Sequence, residues 1–311
     1  MSNIPETHHA SPVTSSESKE QPDQPKATPA ERARRGDSQA QQDHQARQRR
    51  QVSAGVVHEA IRFEGEEELD RTSSALFWSG LAAGLTMGLS LLTQGLLRTA
   101  LPDAPWRVLI ESFGYTIGFV FVVGARQQLF TENTLTPILP LLENKSRLPD
   151  VARLWAIVLV ANMLGAAVFA WVAANTSVFQ PEVRASFSEI AKHVIEPGSG
   201  ALLIRAVAAG WLIALMVWLL PAAQYSRLAM IILPTYVISL GGLTHSIAGS
   251  VDVLYLVATG EAAWLEFARF ASLALLGNIL GGVTLVAVLN HAQVVAGKND
   301  EKEDEKRGAN R

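Results

Sequence analysis

The sequence predicts an all-α membrane protein with six transmembrane helices. Apolar runs long enough to cross a bilayer recur between residues 75 and 295, separated by short polar loops. Such a span requires roughly 20 mostly apolar residues at the helical rise. Hydrophobic residues make up 49% of the 311-residue chain, yet the first 53 or so contain almost nothing apolar. We therefore expect a membrane domain behind a polar N-terminal tail.

The composition divides the chain into four regions. Residues 1–60 are too polar to offset the entropy of ordering a backbone, which predicts a disordered tail. Residues 61–74 mix acidic with apolar side chains and predict a short interfacial helix. Residues 75–295 form the six-span domain, and residues 296–311 form a charged, solvated tail.

The span positions and the basic residues between them predict an orientation. Lys145 and Arg147 follow the second span and Arg227 follows the fourth, whereas the opposite loops are poor in basic residues for their length. Basic residues in short loops mark the cytoplasmic side, so both termini should be cytoplasmic. The six predicted spans are residues 75–97, 108–142, 151–174, 201–220, 228–258 and 267–295.

The second and fifth spans are too long for one straight crossing, and polar residues interrupt both. The interruptions fall at residues 127–134 and 241–246. Polar backbone at that depth is tolerated only within protein or along a wet cavity. Two half-helices meeting at each break would direct N-terminal dipoles and free N–H groups towards the membrane midplane.

The two halves of the membrane domain resemble each other. The third span reads Ala-Asn-Met-Leu-Gly-Ala-Ala around Asn162, and the sixth reads Gly-Asn-Ile-Leu-Gly-Gly-Val around Asn278. Thr131 precedes the first asparagine by 31 positions, and His245 precedes the second by 33. Small residues also recur in membrane helices simply because they favour close packing. The matching order of spans favours an inverted repeat, which is typical of folds that carry a small solute through a midplane site.

Four sequence runs, in this order and spacing, resemble the formate/nitrite transporter family over about residues 74–290. They are Leu129-Phe130-Thr131, Leu203-Ile204-Arg205 leading to Trp211 and Trp218, Thr244-His245-Ser246-Ile247-Ala248, and Gly277-Asn278-Ile279-Leu280-Gly281-Gly282. The resemblance implies an aquaporin-like protomer with one pore, a homopentamer, and a place in the bacterial inner membrane. It also implies passage of small monovalent weak-acid anions such as formate, nitrite or hydrosulfide, or of their neutral acids.

The resemblance also implies pore residues. By position, the central histidine is His245, the residue at the break of the second span is Thr131, and the asparagine of the sixth span is Asn278. The constrictions fall on Tyr115, Phe119, Leu129, Phe130 and Ile238. The chain departs from the family pattern at Glu132, Gly210, Thr244 and Gly249.

Each implied site residue has a functional and a structural interpretation. His245 alone among the seven histidines lies deep within a span. There it either exchanges a proton with a weak acid or braces the broken helix. The Thr131 hydroxyl either contacts the solute or caps a half-helix. The Asn278 amide either bonds to His245 or the break, or holds helices together.

Two charges near the first break are unusual for a membrane span. Glu132 follows the break and Arg126 precedes it. We expect these two to form an ion pair, or Arg126 to pair with Glu111 or extend to the membrane surface. If Glu132 instead faces the pore, it would repel anions and favour a neutral or cationic solute.

Other functions are less consistent with the residues. The chain has no cysteine, and it lacks the clustered ligands of a metalloenzyme, so we expect no enzyme activity, metal or cofactor. Basic residues in the N-terminal tail are compatible with lipid contact, and we expect no nucleic-acid partner. Two alternatives stay open: a pore for a neutral or cationic solute, and a membrane scaffold without transport.

Overall fold

The computed structural model describes residues 53–223 and 225–296, except for the side chains at positions 285 and 286. Most of the predicted N-terminal tail and the charged C-terminal tail from residue 297 lie outside this part. The helices are α1 (Ala54–Asp70), α2 (Ser73–Ala100), α3 (Arg107–Gly124), α4 (Ile138–Leu142), α5 (Leu148–Asn175), α6 (Pro181–Ile195), α7 (Ser199–Leu219), α8 (Arg227–Leu240), α9 (Ser246–Thr259) and α10 (Trp264–Gly282). Short 3₁₀ turns lie at Glu132–Thr134 and Leu220–Ala222, and π-helical turns at Val283–Val288 lead into a helical segment over residues 289–296.

The predicted all-helical class is confirmed, since no strand occurs in the described ranges. Four helices there are long and apolar enough to cross a membrane: α2, α3, α5, and α7 together with its 3₁₀ turn. The helices α8 and α9 are apolar but shorter. Large apolar side chains such as Trp171 and Ile204 stay exposed on these helices, as expected where lipid rather than water surrounds the protein.

Two helix pairs pack closely because glycine allows their backbones to approach. A side chain at Gly84 of α2 would collide with the backbone of Asn162 on α5. Likewise, a side chain at Gly210 of α7 would collide with the backbone of Asn278 on α10. Small residues permit this contact between membrane helices. The two close contacts thereby place Asn162 beside the first break and Asn278 beside the second.

The helices α3 and α8 end in the same way. Beyond α3, Arg126 has a positive φ of 54°, and beyond α8, Gly242 has a φ of 56°. In each case the backbone N–H of the next residue donates a hydrogen bond to a carbonyl of the helix. The Gln127 N–H donates to the Val122 carbonyl at 3.0 Å, and the Leu243 N–H donates to the Ile238 carbonyl at 2.9 Å. These are Schellman ends, which terminate a helix while satisfying its last carbonyls.

The segment between α5 and α7 differs from the prediction. The sequence indicated a loop over residues 175–200, but Pro181–Ile195 is the helix α6. Its buried residues Val183, Phe187 and Ala191 recur every four positions and form one apolar face. Proline in the first turn favours helix initiation there. The predicted position of His193 in a loop was wrong, because this residue lies in the last turn of α6.

The helix before the first span is longer than predicted. It begins at Ala54, where the Ser53 hydroxyl accepts a hydrogen bond from the Val56 N–H, rather than near residue 61. The predicted tail therefore extended about seven residues too far. One face of α1 is buried, including Val57, Ile61 and Leu69. Gly65 lies against the backbone of Thr136, so α1 packs directly beside α4.

Candidate functional site

Thr131 and His245 meet in the interior of the protein. The Thr131 Oγ1 lies 2.8 Å from the His245 Nε2, and both side chains are 1% exposed. Thr131 belongs to the non-helical segment after α3, and His245 is the residue that caps α9. The two chain breaks that carry these residues are thus in direct contact.

The hydrogen bonds of the imidazole specify its tautomer. The Ala248 N–H donates to the His245 Nδ1 at 3.2 Å, so Nδ1 must carry a lone pair. In the neutral ring the proton is then on Nε2, which donates to the Thr131 hydroxyl oxygen. This leaves the Thr131 hydroxyl hydrogen available to another acceptor. Protonating Nδ1 would require the Ala248 contact to break.

Asn278 fixes the backbone on both sides of His245. Its Oδ1 accepts from the Ser246 N–H at 2.8 Å, and its Nδ2 donates to the Thr244 carbonyl at 3.0 Å. The same Nδ2 donates to the Ala206 carbonyl of α7 at 2.8 Å. The amide therefore bonds to the break and to a neighbouring helix, and its hydrogen bonds in the structure do not include His245.

Asn162 makes the same set of contacts in the first half, although it is not among the predicted site residues. Its Oδ1 accepts from the Phe130 N–H at 2.9 Å, and its Nδ2 donates to the Gln128 and Gly80 carbonyls at 2.9 and 2.8 Å. In both halves the Oδ1 contact joins residues 32 positions apart in the sequence, and the Nδ2 contact to the break joins residues 34 positions apart. The repeated Asn-x-x-Gly run was the signal for this role. When the contacts of the two asparagines are aligned, the position equivalent to His245 in the first half is Leu129, rather than Thr131.

Two cavities open near the breaks. The first, of about 520 Å³, is lined by residues of α1 and of the first break, including Glu68, Arg126, Leu129 and Glu132. The second, of about 340 Å³, is lined by Tyr115, Ile238, Thr244, His245 and Asp252, among others.

The two cavities have no lining residue in common, and Thr131, Phe119 and Phe130 line neither of them. These three side chains are at most 1% exposed. The Phe119 ring meets the His245 ring edge-on with centroids 4.9 Å apart and meets the Tyr115 ring at 5.2 Å. The Phe130 ring packs instead against Trp155 of α5 at 5.8 Å. A closely packed, mostly apolar layer around the Thr131–His245 contact thus lies between the two cavity linings.

Arg126 and Glu132 both line the first cavity, but no ion pair joins them in the described part of the chain. Glu111, the other expected partner of Arg126, is bound by Arg98 at 3.2 Å and by Arg107 at 2.9 Å. The Glu132 Oε1 is buried without a hydrogen-bond partner among the described residues. The expected pairings of Arg126 are therefore not present.

Asp252 is an acidic residue of the second cavity that is not among the predicted site residues. It lies on α9 seven residues beyond His245, and with Gly249 these positions share one helical face that lines the cavity. Its side chain is 6% exposed, and no hydrogen bond or ion pair to another described residue holds it. Arg205, which also lines this cavity, likewise has no ion-pair partner in the described ranges.

Comparisons with known proteins agree on one family. The formate/nitrite transporter profile matches residues 55–292. The inner membrane protein YfdC of Escherichia coli is 44% identical over 244 residues, covering 78% of this chain and 79% of that protein. The formate channel BtFdhC of Bacillus thuringiensis is 22% identical over 236 residues, covering 74% and 91% of the two chains.

Two solved structures have a similar fold. An FNT family ion channel matches with a TM-score of 0.64 at 16% identity, over 75% of this chain and 96% of that one. A pentameric formate channel with formate bound matches with a TM-score of 0.61 at 18% identity, over 72% and 98%.

Proposed function

Because the chain belongs to the formate/nitrite transporter family, we propose that it is a membrane channel or transporter for a small monovalent weak-acid anion or its neutral acid. The contact between Thr131 and His245 carries the proposal. It places a polar hydrogen-bonding pair inside an apolar layer, between two separate cavities. Such an arrangement suits a solute that crosses the layer one molecule at a time. It requires no chemical conversion, and we assign no enzyme activity.

We propose six spans with the aquaporin-like inverted repeat. In this topology α3 and α4 are the two parts of the broken second span, and α8 and α9 are those of the fifth. The matched Schellman ends and the matched asparagine contacts support the repeat. Both termini are cytoplasmic in this proposal, which rests on Lys145, Arg147 and Arg227. The channel domain occupies about residues 75–295, between two tails.

We propose a homopentamer in the bacterial inner membrane. The support comes from the similar solved structure, which is a pentamer, and from the similar E. coli protein, which is an inner membrane protein. In this proposal each protomer holds its own pore, which contains the Thr131–His245 contact.

In the proposed mechanism, Arg205 draws an anion into the second cavity by its charge. The apolar layer of Phe119, Leu129 and Ile238 is costly for an ion because it offers little replacement for hydration. A proton taken up from the aqueous solution near His245 converts the anion into a neutral acid that passes the layer. The Thr131 hydroxyl, which accepts a hydrogen bond from the imidazole Nε2–H, donates a hydrogen bond to the solute during passage.

The test is solute flux in proteoliposomes of the purified full chain, with formate, nitrite, acetate and hydrosulfide from mildly acidic to mildly alkaline pH. We expect flux of at least one of them, lost in His245→Phe. Trp171→Phe is the control, because Trp171 is 59% exposed and lines neither cavity. Flux that is unchanged in His245→Phe would remove the histidine from the mechanism.

A second function is favoured by the two carboxylates of the cavities. Glu132 in the first cavity and Asp252 in the second have no ion-pair partner in the residues that the structure describes. Negative charge on both sides of the apolar layer would repel anions and favour a neutral or cationic solute. Absence of flux for all four weak acids, from an intact oligomer, would support this second function.

A further inference from the structure

Three side chains that are distant in the sequence come together where α1, the end of α4 and the C-terminal helical segment meet. They are His58, Glu143 and His291. The His58 Nε2 lies 3.0 Å from the His291 Nδ1, across 233 residues of sequence. The His58 Nδ1 lies 3.9 Å from the Glu143 Oε1. One ligand atom from each side chain falls within 4.8 Å of the others.

The ligand types and spacings suit a zinc-class ion. Two histidine nitrogens and one carboxylate oxygen form a common three-ligand set for Zn²⁺, with a fourth position left for water. Two nitrogens on one tetrahedral zinc are about 3.3 Å apart, given Zn–N bonds of about 2.0–2.1 Å. The observed separation of 3.0 Å therefore needs to widen by only a few tenths of an ångström. The ligand nitrogen of His58 is then Nε2. The Glu143 Oε1, which lies 3.9 Å from Nδ1 of the same ring, must move towards Nε2 to complete the set.

The surroundings of the cluster orient its members. His58 is 1% exposed and lies edge-on to the Trp218 ring, with centroids 6.2 Å apart. The Glu143 Oε2 is held by the Lys145 ammonium at 2.8 Å and lies 3.7 Å from the Arg62 Nε. The opposite oxygen, Oε1, is thus the one directed at His58. Outer contacts of this kind fix the orientation of metal ligands.

The charge balance permits a cation despite these two basic neighbours. Arg62 is itself bound by Glu59 and Glu66. These two carboxylates offset the Arg62 charge. The carboxylate of Glu143 and the two imidazoles are ligand types that bind a divalent zinc ion.

We propose that His58, Glu143 and His291 bind one divalent zinc ion, which ties α1 and the C-terminal helical segment to the end of α4. The site lies outside the linings of both cavities. It does not depend on the proposed transport function, and it exists whether the pore carries a weak acid, a neutral solute or a cation.

The experiment measures zinc binding to the full chain, purified in detergent without a polyhistidine tag and stripped with a chelator. Titration with Zn²⁺ followed by metal analysis should give one ion per chain. His291→Ala and His291→Gln should each weaken binding by at least about tenfold. His291 is part-exposed near the end of the described chain, so these variants should fold.

Two controls separate this site from other histidines. His193→Ala removes an exposed histidine that lies beside Glu196 and should leave zinc binding unchanged. Replacing His8, His9 and His44 together by Ala tests the N-terminal tail and should also leave it unchanged. Absence of stoichiometric zinc binding, or binding that survives both His291 variants, would overturn the proposal.

Discussion

The Thr131 hydroxyl lies 2.8 Å from the His245 imidazole and joins two chain breaks that are 114 residues apart. Because the Ala248 N–H donates a hydrogen bond to Nδ1 of the imidazole, the ring proton is on Nε2. The threonine oxygen therefore accepts a hydrogen bond from Nε2–H. The threonine hydrogen is then available to another acceptor. This contact leads to the first prediction.

Thr131→Val should lower weak-acid flux by about tenfold or more, because valine has nearly the same shape but offers no hydroxyl to His245 or to the solute. Leaving the imidazole N–H unpaired in the interior also costs about 1–3 kcal/mol of stability. Thr131→Ser restores the hydroxyl and should keep most of the flux. Proteoliposome flux and thermal unfolding of both variants provide the check. Equal flux in the valine and serine variants would show that the hydroxyl has no role in passage.

Asn162→Ala and Asn278→Ala should destabilise the protein to a similar extent. Each removes three hydrogen bonds and leaves buried backbone groups without partners, at about 1–3 kcal/mol for each unsatisfied group. Asn175→Ala is the matched control, since the one hydrogen bond of that exposed side-chain amide to a described residue goes to the Trp171 carbonyl at 3.1 Å. Thermal unfolding in detergent measures the effect. A much larger loss in one of the two variants would contradict the equivalence of the two breaks.

Gly242→Ala and Arg126→Gly should have opposite effects on stability. Both positions have a positive φ, of 56° and 54°, where a side chain costs about 1–2 kcal/mol relative to glycine. Alanine at 242 should lower the unfolding temperature, and glycine at 126 should raise it or leave it unchanged. Gly260→Ala, at a φ of 77° beyond α9, carries the same backbone cost away from both breaks. If Arg126→Gly is clearly destabilising, the arginine side chain contributes more to the free energy of unfolding than its positive φ costs.

Glu68 on α1 should make stability depend on pH. Burial, aided by the charge of Glu64, raises its pKa to about 7 from 4.5, although Thr136 and Gln128 donate hydrogen bonds to the carboxylate. Between these two values the folded protein holds a proton that the unfolded chain has lost. Stability from this group is therefore greatest below about pH 4.5 and declines as pH rises to about 7.

The Glu68→Gln variant tests this dependence. Glutamine cannot titrate, so the variant should show a flatter profile of unfolding temperature between pH 4.5 and 7 than the original chain. Glu67→Gln, an exposed neighbour on the same helix, should leave the profile unchanged. Parallel profiles for the original chain and Glu68→Gln would mean that another group is responsible for the pH dependence.

Asp252→Asn and Glu132→Gln should each increase anion flux, because each removes a negative charge from a cavity wall without changing its shape. Arg205→Gln should decrease it, since this arginine is the proposed attraction for anions. Initial rates of formate uptake measure all three. No change in either carboxylate variant would indicate that both groups are already uncharged during passage, and would count against the cationic alternative.

The helices were predictable wherever apolar runs are long, as in α2, α5 and α7, because a bilayer span has a minimum length. The helix α6 was not, because charged residues such as Glu182, Arg184 and Glu189 are interspersed with its apolar residues, as they are in many loops. The start of α1 was missed because its first apolar residues, Ala54, Val56 and Val57, directly follow the polar tail and form a run far too short for a span. Its burial depends on α4, about 80 positions further along the chain.

The site residues follow the same distinction. His245 was predictable because an ionisable side chain at membrane depth is rare. Asn162 was visible in the repeat, but only its contacts with Phe130 and Gln128 reveal that it fixes a break. Asp252 also lies within the predicted fifth span, seven residues beyond His245, so the same rule points to it. The His58–His291 pair instead depends on packing between segments 233 residues apart. No local pattern indicates such pairs.

The hydrogen bonds of Asn162 and Asn278 also affect the order in which the chain can assemble during synthesis. Each of these bonds joins residues within one half, separated by at most 82 positions. The first break can therefore be set before the ribosome has completed the second half. The Thr131–His245 contact can form only after His245 has been synthesised and α9 has packed against the first half. Its sequence separation of 114 residues is greater than that of any of the asparagine hydrogen bonds. The nascent first half thus holds its break in place but lacks the proposed transport site, which forms only when the second half has been inserted.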